Sequence, residues 1–515
     1  MRESRNIGGK AMADITDTIR DEWKAAAQKA SIEGRAFIGG RYIDAADGDS
    51  FDCINPATGR VLGKIASCKS TDIDLAVRSA RRAFDGGAWS CCDPSERRKV
   101  LIRLADLIEA ARDELALLET LDTGKLIRDS VTLDIPSSAA VFRFYGEACD
   151  KLLHEVVPVG PYAFASITKE PVGVVGAVIP WNFPLKMAAW KCAPALAVGN
   201  SVVLKPAEQS PLTALKLAQL AVEAGVPEGV FNVVPGFGPE AGAAIGLHSG
   251  IDCVGFTGST EIGKRFLAYA GQSNMKRVWL ECGGKSACIV FPDAKNLEAA
   301  AKAAALGIFF NQGEVCSATS RLFVHRDLLD DFTTLLVEAS NSFKPGDPLE
   351  VSSGMGSMIS EEQTTRVMSY IEKGKEEADL IAGGSRVLQE TGGYFIEPTI
   401  FRNVDPRSVI ACEEIFGPVL SIIPFGSESE AVELANASIY GLGASVWTGD
   451  LDRAFRLSRR LHAGSISINA VDHVDLRTPF GGVKQSGNGR DLSLHALDKY
   501  CDLKTTWMAV QGSAA

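Results

Sequence analysis

The sequence predicts an α/β fold built on two parallel-sheet domains, and three observations carry that prediction. Between residues 172 and 290, short Val-rich apolar runs alternate with helical periodicity, as expected of strands buried on both faces by their own connecting helices. A second alternation of the same kind starts near Ala287 and continues to about residue 484. The chain has 515 residues, which is room for roughly two to four domains.

The elements follow in order. Residues 1–20 mix charged and small polar residues with no apolar stretch, so they read as an extension and not as a secretory signal. Met12 is a second possible start within it. Val100, Leu101, Leu104, Leu107, Ile108, Leu115 and Leu118 recur at helical spacing and predict a helix pair. VGVVGAVIP (172–180) is a buried strand followed by a helix through Trp190. SVVLKPAE (201–208) is the next strand, with a helix over Thr213–Ala224 ended by Gly225. FNVVPG (231–236) precedes a helix around Glu240 to Gly246, and CVGFTGS (253–259) precedes one over Glu261–Ala270. This is a doubly wound, Rossmann-like arrangement suited to a nucleotide. In the second unit, ACIVF (287–291), RLFVH (321–325), Val419–Phe425 and Ala444–Trp447 are strands. Leu297–Phe310, Leu328–Phe343 and Glu428–Ala437 are helices. Tyr500–Val510 reads as an exposed strand in need of a partner.

Composition excludes several classes. With 53 Lys+Arg against 64 Asp+Glu the net charge is −11, which argues against nucleic acid or an anionic membrane as partner. The most apolar region, Pro171 to Leu204, is interrupted by Asn182, Lys186, Lys191 and Asn200, too often for a membrane span. Twelve cysteines without framework spacing predict reduced thiols in a cytoplasmic protein. His154, His248, His325, His462, His473 and His495 are scattered, and no metal motif is present.

Two glycine motifs are weak. Gly236-Phe-Gly238-Pro-Glu-Ala-Gly242 has one residue too many for a dinucleotide fingerprint and is equally a glycine-rich turn. Gly258 to Lys264 matches G-x-x-x-x-G-K, but Arg265 replaces the hydroxyl that an NTPase needs for Mg²⁺. A helix N-terminus there still suits a phosphate.

Three other segments place polar residues in apolar or glycine-rich surroundings: PWNFP (180–184), LECGGK (280–285) and the run Phe309 to Ala318. Cys316 has small polar neighbours and is the best nucleophile, whereas Cys192, Cys253 and Cys288 read as structural thiols. Glu281 is a general base if its uncharged surroundings raise its pKa, or else a partner of Lys285. Asn182 is an oxyanion donor or a turn residue before Pro184. No histidine accompanies Cys316, against a papain-like triad.

With these segments the chain resembles the NAD(P)-dependent aldehyde dehydrogenase superfamily from about Phe37 to Trp507. PWNFP, KPAE (205–208), FTGST (256–260), LECGGKS (280–286), NQGEVCSA (311–318), EEIFGPV (413–419) and PFGGVKQSG (479–487) carry the resemblance. It implies that Cys316 forms a thiohemiacetal with an aldehyde, that Asn182 and the Cys316 N–H hold the oxyanion, and that Glu281 activates water on the thioester. It implies NAD in preference to NADP, with Lys205 and Glu208 on the adenosine ribose, because a carboxylate at 208 repels a 2′-phosphate. Ser259 and Gly258 would meet the pyrophosphate, Gly238, Gly242 and Ile262 the adenine, Glu414 the nicotinamide ribose and Phe416 the ring. Ile179, Trp181, Phe256 and Cys282 complete the implied cofactor set. Cys282 stands where many relatives have Leu, and Arg366 where relatives often have Lys.

The resemblance also implies the domains. Residues 21–149 and 172–283 would bind NAD, 284–484 would carry catalysis, and the strands 150–171 and 499–511 would join subunits into a dimer or tetramer. The aldehyde tunnel would be lined by Phe183, Met187, Trp190, Val315, Ser317, Asp472, Asp475 and Phe480. SNMKRVWLE (273–281) and KQSGNGRDLSLHAL (484–497) resemble the branch acting on γ-glutamyl-γ-aminobutyraldehyde, 4-guanidinobutyraldehyde and related ω-amino aldehydes. Asp472 and Asp475 would attract a cationic tail, or else form a solvated loop. His473 and Arg477 instead favour a neutral, aromatic or acidic aldehyde. An aromatic or aliphatic aldehyde dehydrogenase, a CoA-acylating one, and a catalytically idle binding member remain the alternatives.

Overall fold

A computed structural model describes residues 21–510; the extension 1–20, with Met12, and residues 511–515 lie outside the described residues. Two seven-stranded sheets form its framework. In the first, Arg277–Glu281, Cys253–Thr257, Val174–Val178, Ser201–Lys205 and Phe231–Val233 lie side by side and parallel. Ala36–Ile38 and Arg41–Ile43 extend it antiparallel. The three five-residue strands Val174–Val178, Ser201–Lys205 and Cys253–Thr257, which read as continuous apolar runs, are buried throughout, since helices cover both faces.

The connecting helices occur where the periodicity put them: Pro184–Ala197, Leu212–Ala224 and Thr260–Gln272. Gly225 ends the second in the left-handed region (φ 109°), as its position predicted. The segment after Phe231–Val233 differs from the continuous helix expected. Pro239 contributes no N–H, and those of Glu240, Ala241 and Gly242 converge on the Phe237 carbonyl, giving a wide turn before the short helix Ala243–Leu247.

The second sheet runs Asp379–Ala382, Thr399–Arg402, Val419–Phe425, Arg321–His325, Ala287–Val290, Gly443–Trp447 and Ser465–Ile468, parallel except at its first strand. The C-terminal strand Cys501–Ala509 finds its partner within the chain. It pairs antiparallel with Ala163–Pro171, which pairs on its other side with Glu155–Val157. Among the described residues no helix is long and apolar enough to cross a membrane, and no cluster of His, Cys, Asp or Glu could hold a metal ion.

Candidate active site

Parallel strands of the first sheet all end at one edge, and each delivers a motif there. Val174–Val178 leads to Trp181 and Asn182, Cys253–Thr257 to Gly258 and Ser259, and Arg277–Glu281 ends on Glu281 itself. The second sheet faces this edge with the segment carrying Cys316 and with Glu414 to Phe416. Between them lies a cavity of about 960 Å³.

Asn182 reaches the backbone just ahead of Cys316. The Asn182 amide donates from Nδ2 to the Glu314 carbonyl at 2.7 Å, two residues before the cysteine. One amide hydrogen of Asn182 is thereby used and the other remains. Burial raises the Cys316 thiol above its ordinary value, and the carboxylates of Asp472, Glu414 and Glu281 add to the effect.

Glu281 is buried, with neither carboxylate oxygen hydrogen-bonded. Lys285 is therefore not its partner. Burial pushes Glu281 well above the usual carboxylate range, and Asp491 pushes the same way against Lys191, Lys499 and Arg490. Asp491 is itself buried between Lys191 and Lys499, accepting a hydrogen bond from each. That trio was not anticipated: Lys191 stood out only as an interruption of an apolar helix, and its partners lie some 300 residues away.

Glycine makes the space around these groups. A Cβ at Gly481 would lie 2.6 Å from Glu281 Oε1, and one at Gly489 2.9 Å. At Gly283 it would lie 2.0 Å from Glu414 Oε2. Glu414 accepts the Gly284 N–H at 2.9 Å and is raised to about 7 by burial. Its loop is held from the helix Glu361–Glu377, where Arg366 donates to the Glu414 carbonyl (2.9 Å) and Gln363 to the Phe416 carbonyl (2.7 Å). Gln363 lines the cavity and escaped notice in the sequence, where it sits in an ordinary polar helix face. Phe416 adopts φ 60° and meets Trp181 edge to face with ring centroids 5.2 Å apart.

Of the expected substrate residues, Phe183, Met187, Trp190, Val315, Ser317, Asp472 and Phe480 line the cavity. Trp190 packs on Phe480 (5.1 Å) and Phe183 on Phe310 (6.3 Å), while the Lys186 ammonium lies within 5.5 Å of both Phe183 and Trp190. Asp472 accepts the Ser317 hydroxyl at 2.7 Å. Asp475 does not join them: it lies off the cavity wall, and the Arg477 guanidinium, in the same exposed loop, takes its carboxylate at 2.6 Å.

On the cofactor side, Trp181, Gly258, Ser259, Cys282, Glu414 and Phe416 line the cavity. Ile179, Lys205, Glu208, Gly238, Gly242, Phe256 and Ile262 do not. Several of these still follow the same sheet edge. Ile179 donates to the Lys205 carbonyl, Lys205 pairs with Glu208 at 3.3 Å, and a Cβ at Gly242 would touch the Lys205 stem at 3.8 Å. Gly238 is exposed with open space around its Cα, and Ile262 is exposed on its helix. Ser259 caps that helix by accepting the Ile262 N–H. Phe256 is buried against Phe266, with Gly258 pressed to its ring, so its side chain belongs to the core.

Comparison with known proteins gives the family. The model of the Aldehyde dehydrogenase family matches residues 42–506. The NADP/NAD-dependent aldehyde dehydrogenase PuuC of Escherichia coli is 51% identical over 95% of this chain and 98% of its own. The crystal structure of γ-glutamyl-γ-aminobutyraldehyde dehydrogenase from Burkholderia cenocepacia is 53% identical, covering 96% of this chain and 100% of that one, with a TM-score of 0.94. An indole-3-acetaldehyde dehydrogenase solved with NAD⁺ is 54% identical over 95% of this chain and 99% of that one, also with a TM-score of 0.94. The chain belongs to the aldehyde dehydrogenase family and is an NAD(P)-dependent enzyme of aldehyde oxidation.

Proposed function

We propose that this enzyme oxidises a small ω-amino or guanidino aldehyde to its acid with NAD, through a covalent adduct on Cys316. The observation that carries the mechanism is the meeting of Cys316, the Asn182 amide and the unpartnered Glu281 carboxylate around one cavity. The residues fit a dinucleotide: the cavity edge follows the ends of parallel strands, and Gly283 leaves no room for a side chain beside Glu414. Ser259, Glu414 and Phe416 would hold the pyrophosphate, ribose and nicotinamide, with Lys205 and Glu208 further along the edge.

In the first step the Cys316 sulfur, having lost its proton, attacks the carbonyl carbon. The second Asn182 N–H and the Cys316 backbone N–H stabilise the resulting oxyanion. The chemistry NAD supplies when bound is hydride acceptance, which leaves the carbon on Cys316 at the thioester level. Glu281 then takes a proton from water, hydroxide adds to the thioester carbon, and the C–S bond breaks to release acid and thiol. Raised by burial, Glu281 is a stronger base than an exposed carboxylate once ionised.

Asp472 at the cavity wall supports a cationic substrate tail, as do the relatives named for amino aldehydes. The Trp190–Phe480 and Phe183–Phe310 pairs favour a second reading, an aromatic aldehyde, in keeping with the indole-3-acetaldehyde relative. A kcat/KM panel over 3-aminopropionaldehyde, 4-guanidinobutyraldehyde, benzaldehyde and propionaldehyde separates them. The first two should lead, and no advantage for them over benzaldehyde or propionaldehyde discards the amino-aldehyde reading. The same panel with NADP tests the preference for NAD that the Glu208 carboxylate supports.

The nucleotide role falls to residues 21–149 with 172–283 and the nucleophile to 284–484. Twelve unpaired cysteines support a reducing, cytoplasmic setting. The exposed apolar residues of the small sheet support a homo-oligomer.

A further inference from the structure

Three consecutive residues before the nucleophile turn left-handed. Asn311 has φ/ψ of 48°/42°, Gln312 57°/20°, and Gly313 φ 73°. Such a turn costs energy for residues with a Cβ, least for asparagine. Gly313 is compelled, because a Cβ there would lie 2.2 Å from the Gly417 carbonyl. Asn311 is buried, and the turn places its side chain between two loops. Nδ2 donates to the Asn182 carbonyl at 3.2 Å and to the Glu314 carbonyl at 3.3 Å. The Glu314 carbonyl therefore receives both the Asn311 and the Asn182 amides. A closed triangle results, in which Asn311 holds the backbone of the loop whose side chain it also shares an acceptor with.

We propose that Asn311 is a positioning residue that fixes the distance between the oxyanion donor Asn182 and the nucleophile Cys316. The proposal rests on the reading of Asn182 as oxyanion donor. Removing the Asn311 amide lets the two loops separate without touching the thiol, so adduct formation is slowed while Cys316 stays intact. Misplacement of about 1 Å is worth on the order of 100-fold in rate.

The test is a double-mutant cycle. Asn311→Gly keeps the left-handed backbone and deletes the amide. Asn311→Asp also tolerates that backbone, but turns an acceptor toward two carbonyls, and it replaces the glycine variant if that one does not fold. Either should lower the single-turnover rate of NADH formation on the order of 10- to 100-fold. Alkylation of Cys316 by iodoacetamide without NAD should stay within about twofold, because it needs no oxyanion donor. In an Asn182→Ala background the Asn311 substitution should add less than about threefold, since both act through one contact. Full additivity, or alkylation falling in parallel with NADH formation, overturns the clamp. So does an unchanged single-turnover rate for the Asn311 variants when Asn182→Ala is slow. If Asn182→Ala itself is not slow, the oxyanion reading fails and takes the clamp with it.

Discussion

Glu281 shows how a single side chain is tuned by what is missing around it. Neither oxygen has a partner, and its walls at Gly481 and Gly489 are bare backbone. Burial holds its proton well above the ordinary carboxylate range, so ionisation, and with it hydrolysis of the thioester, requires a rise in pH past that raised value. At saturating aldehyde, kcat should climb with pH through one step above the usual carboxylate range. In Glu281→Gln that step should vanish, leaving a burst of one NADH per site and slow turnover; a variant with unchanged kcat removes Glu281 from the mechanism. Gly489→Ala tests the walls. Its Cβ would displace the carboxylate, and kcat should fall about tenfold, with the burst retained if only the water-activating step is affected. Cys316, Glu281 and Asn182 were legible because polar residues in glycine-rich or apolar context are rare. Asp491 and Lys499 were not, because their meaning comes from Lys191 across the whole chain.

Elements were legible where one physical signal dominated. Continuous apolar strands and helices stopped by glycine emerged where the pattern put them. The short strands Ala36–Ile38 and Arg41–Ile43 were not read, since three residues carry no period. Hidden too was the support beneath the substrate side of the site. Lys125, just past the helix Arg112–Thr123, is buried with its ammonium 2.9 Å from Asp134, 3.6 Å from Glu119 and 4.2 Å from the Phe183 ring centroid. Glu119 in turn accepts the Leu185 N–H, tying the helix Arg112–Thr123 to the first turn of Pro184–Ala197, just after Asn182. Lys125→Met should destabilise the protein by about 3–5 kcal/mol, because two buried carboxylates lose their counter-charge. The loss appears as a lower guanidinium midpoint at unchanged slope. Through Glu119 it should grow as pH rises past about 7, the value to which burial raises that carboxyl in the parent, because above it the parent ionises Glu119 beside the Lys125 charge and the variant has no counter-charge to offer. A midpoint equal to the parent at neutral pH would show that the cluster contributes nothing net.

On the scale of the whole molecule, the two large sheets bury their apolar surfaces against helices and the small one does not. Cys501–Ala509 is paired along one edge by Ala163–Pro171, yet its outer edge stays open and eight of its nine residues are exposed. Leu503 is 70% exposed and Trp507 63%, on the same face, and nearby Val156 and Tyr162 are 70% and 68% exposed. The sequence-level expectation of a strand wanting a partner was thus half met inside the chain. An open edge with this much apolar surface is an aggregation hazard unless another subunit covers it. We therefore expect the sheet to be the core of subunit contact. Trp507→Arg places a charge at its centre, and Arg at a desolvated interface without a counter-charge costs several kcal/mol. Sedimentation velocity at micromolar concentration should show the parent as one oligomeric species and the variant shifted toward monomer. Because Trp507 lies far along the strand from Tyr500, where the chain leaves the core of the first sheet, the separated subunit should keep its fold by circular dichroism. An unchanged sedimentation coefficient in the variant would move the interface elsewhere and leave the open edge to be explained by something other than a second copy.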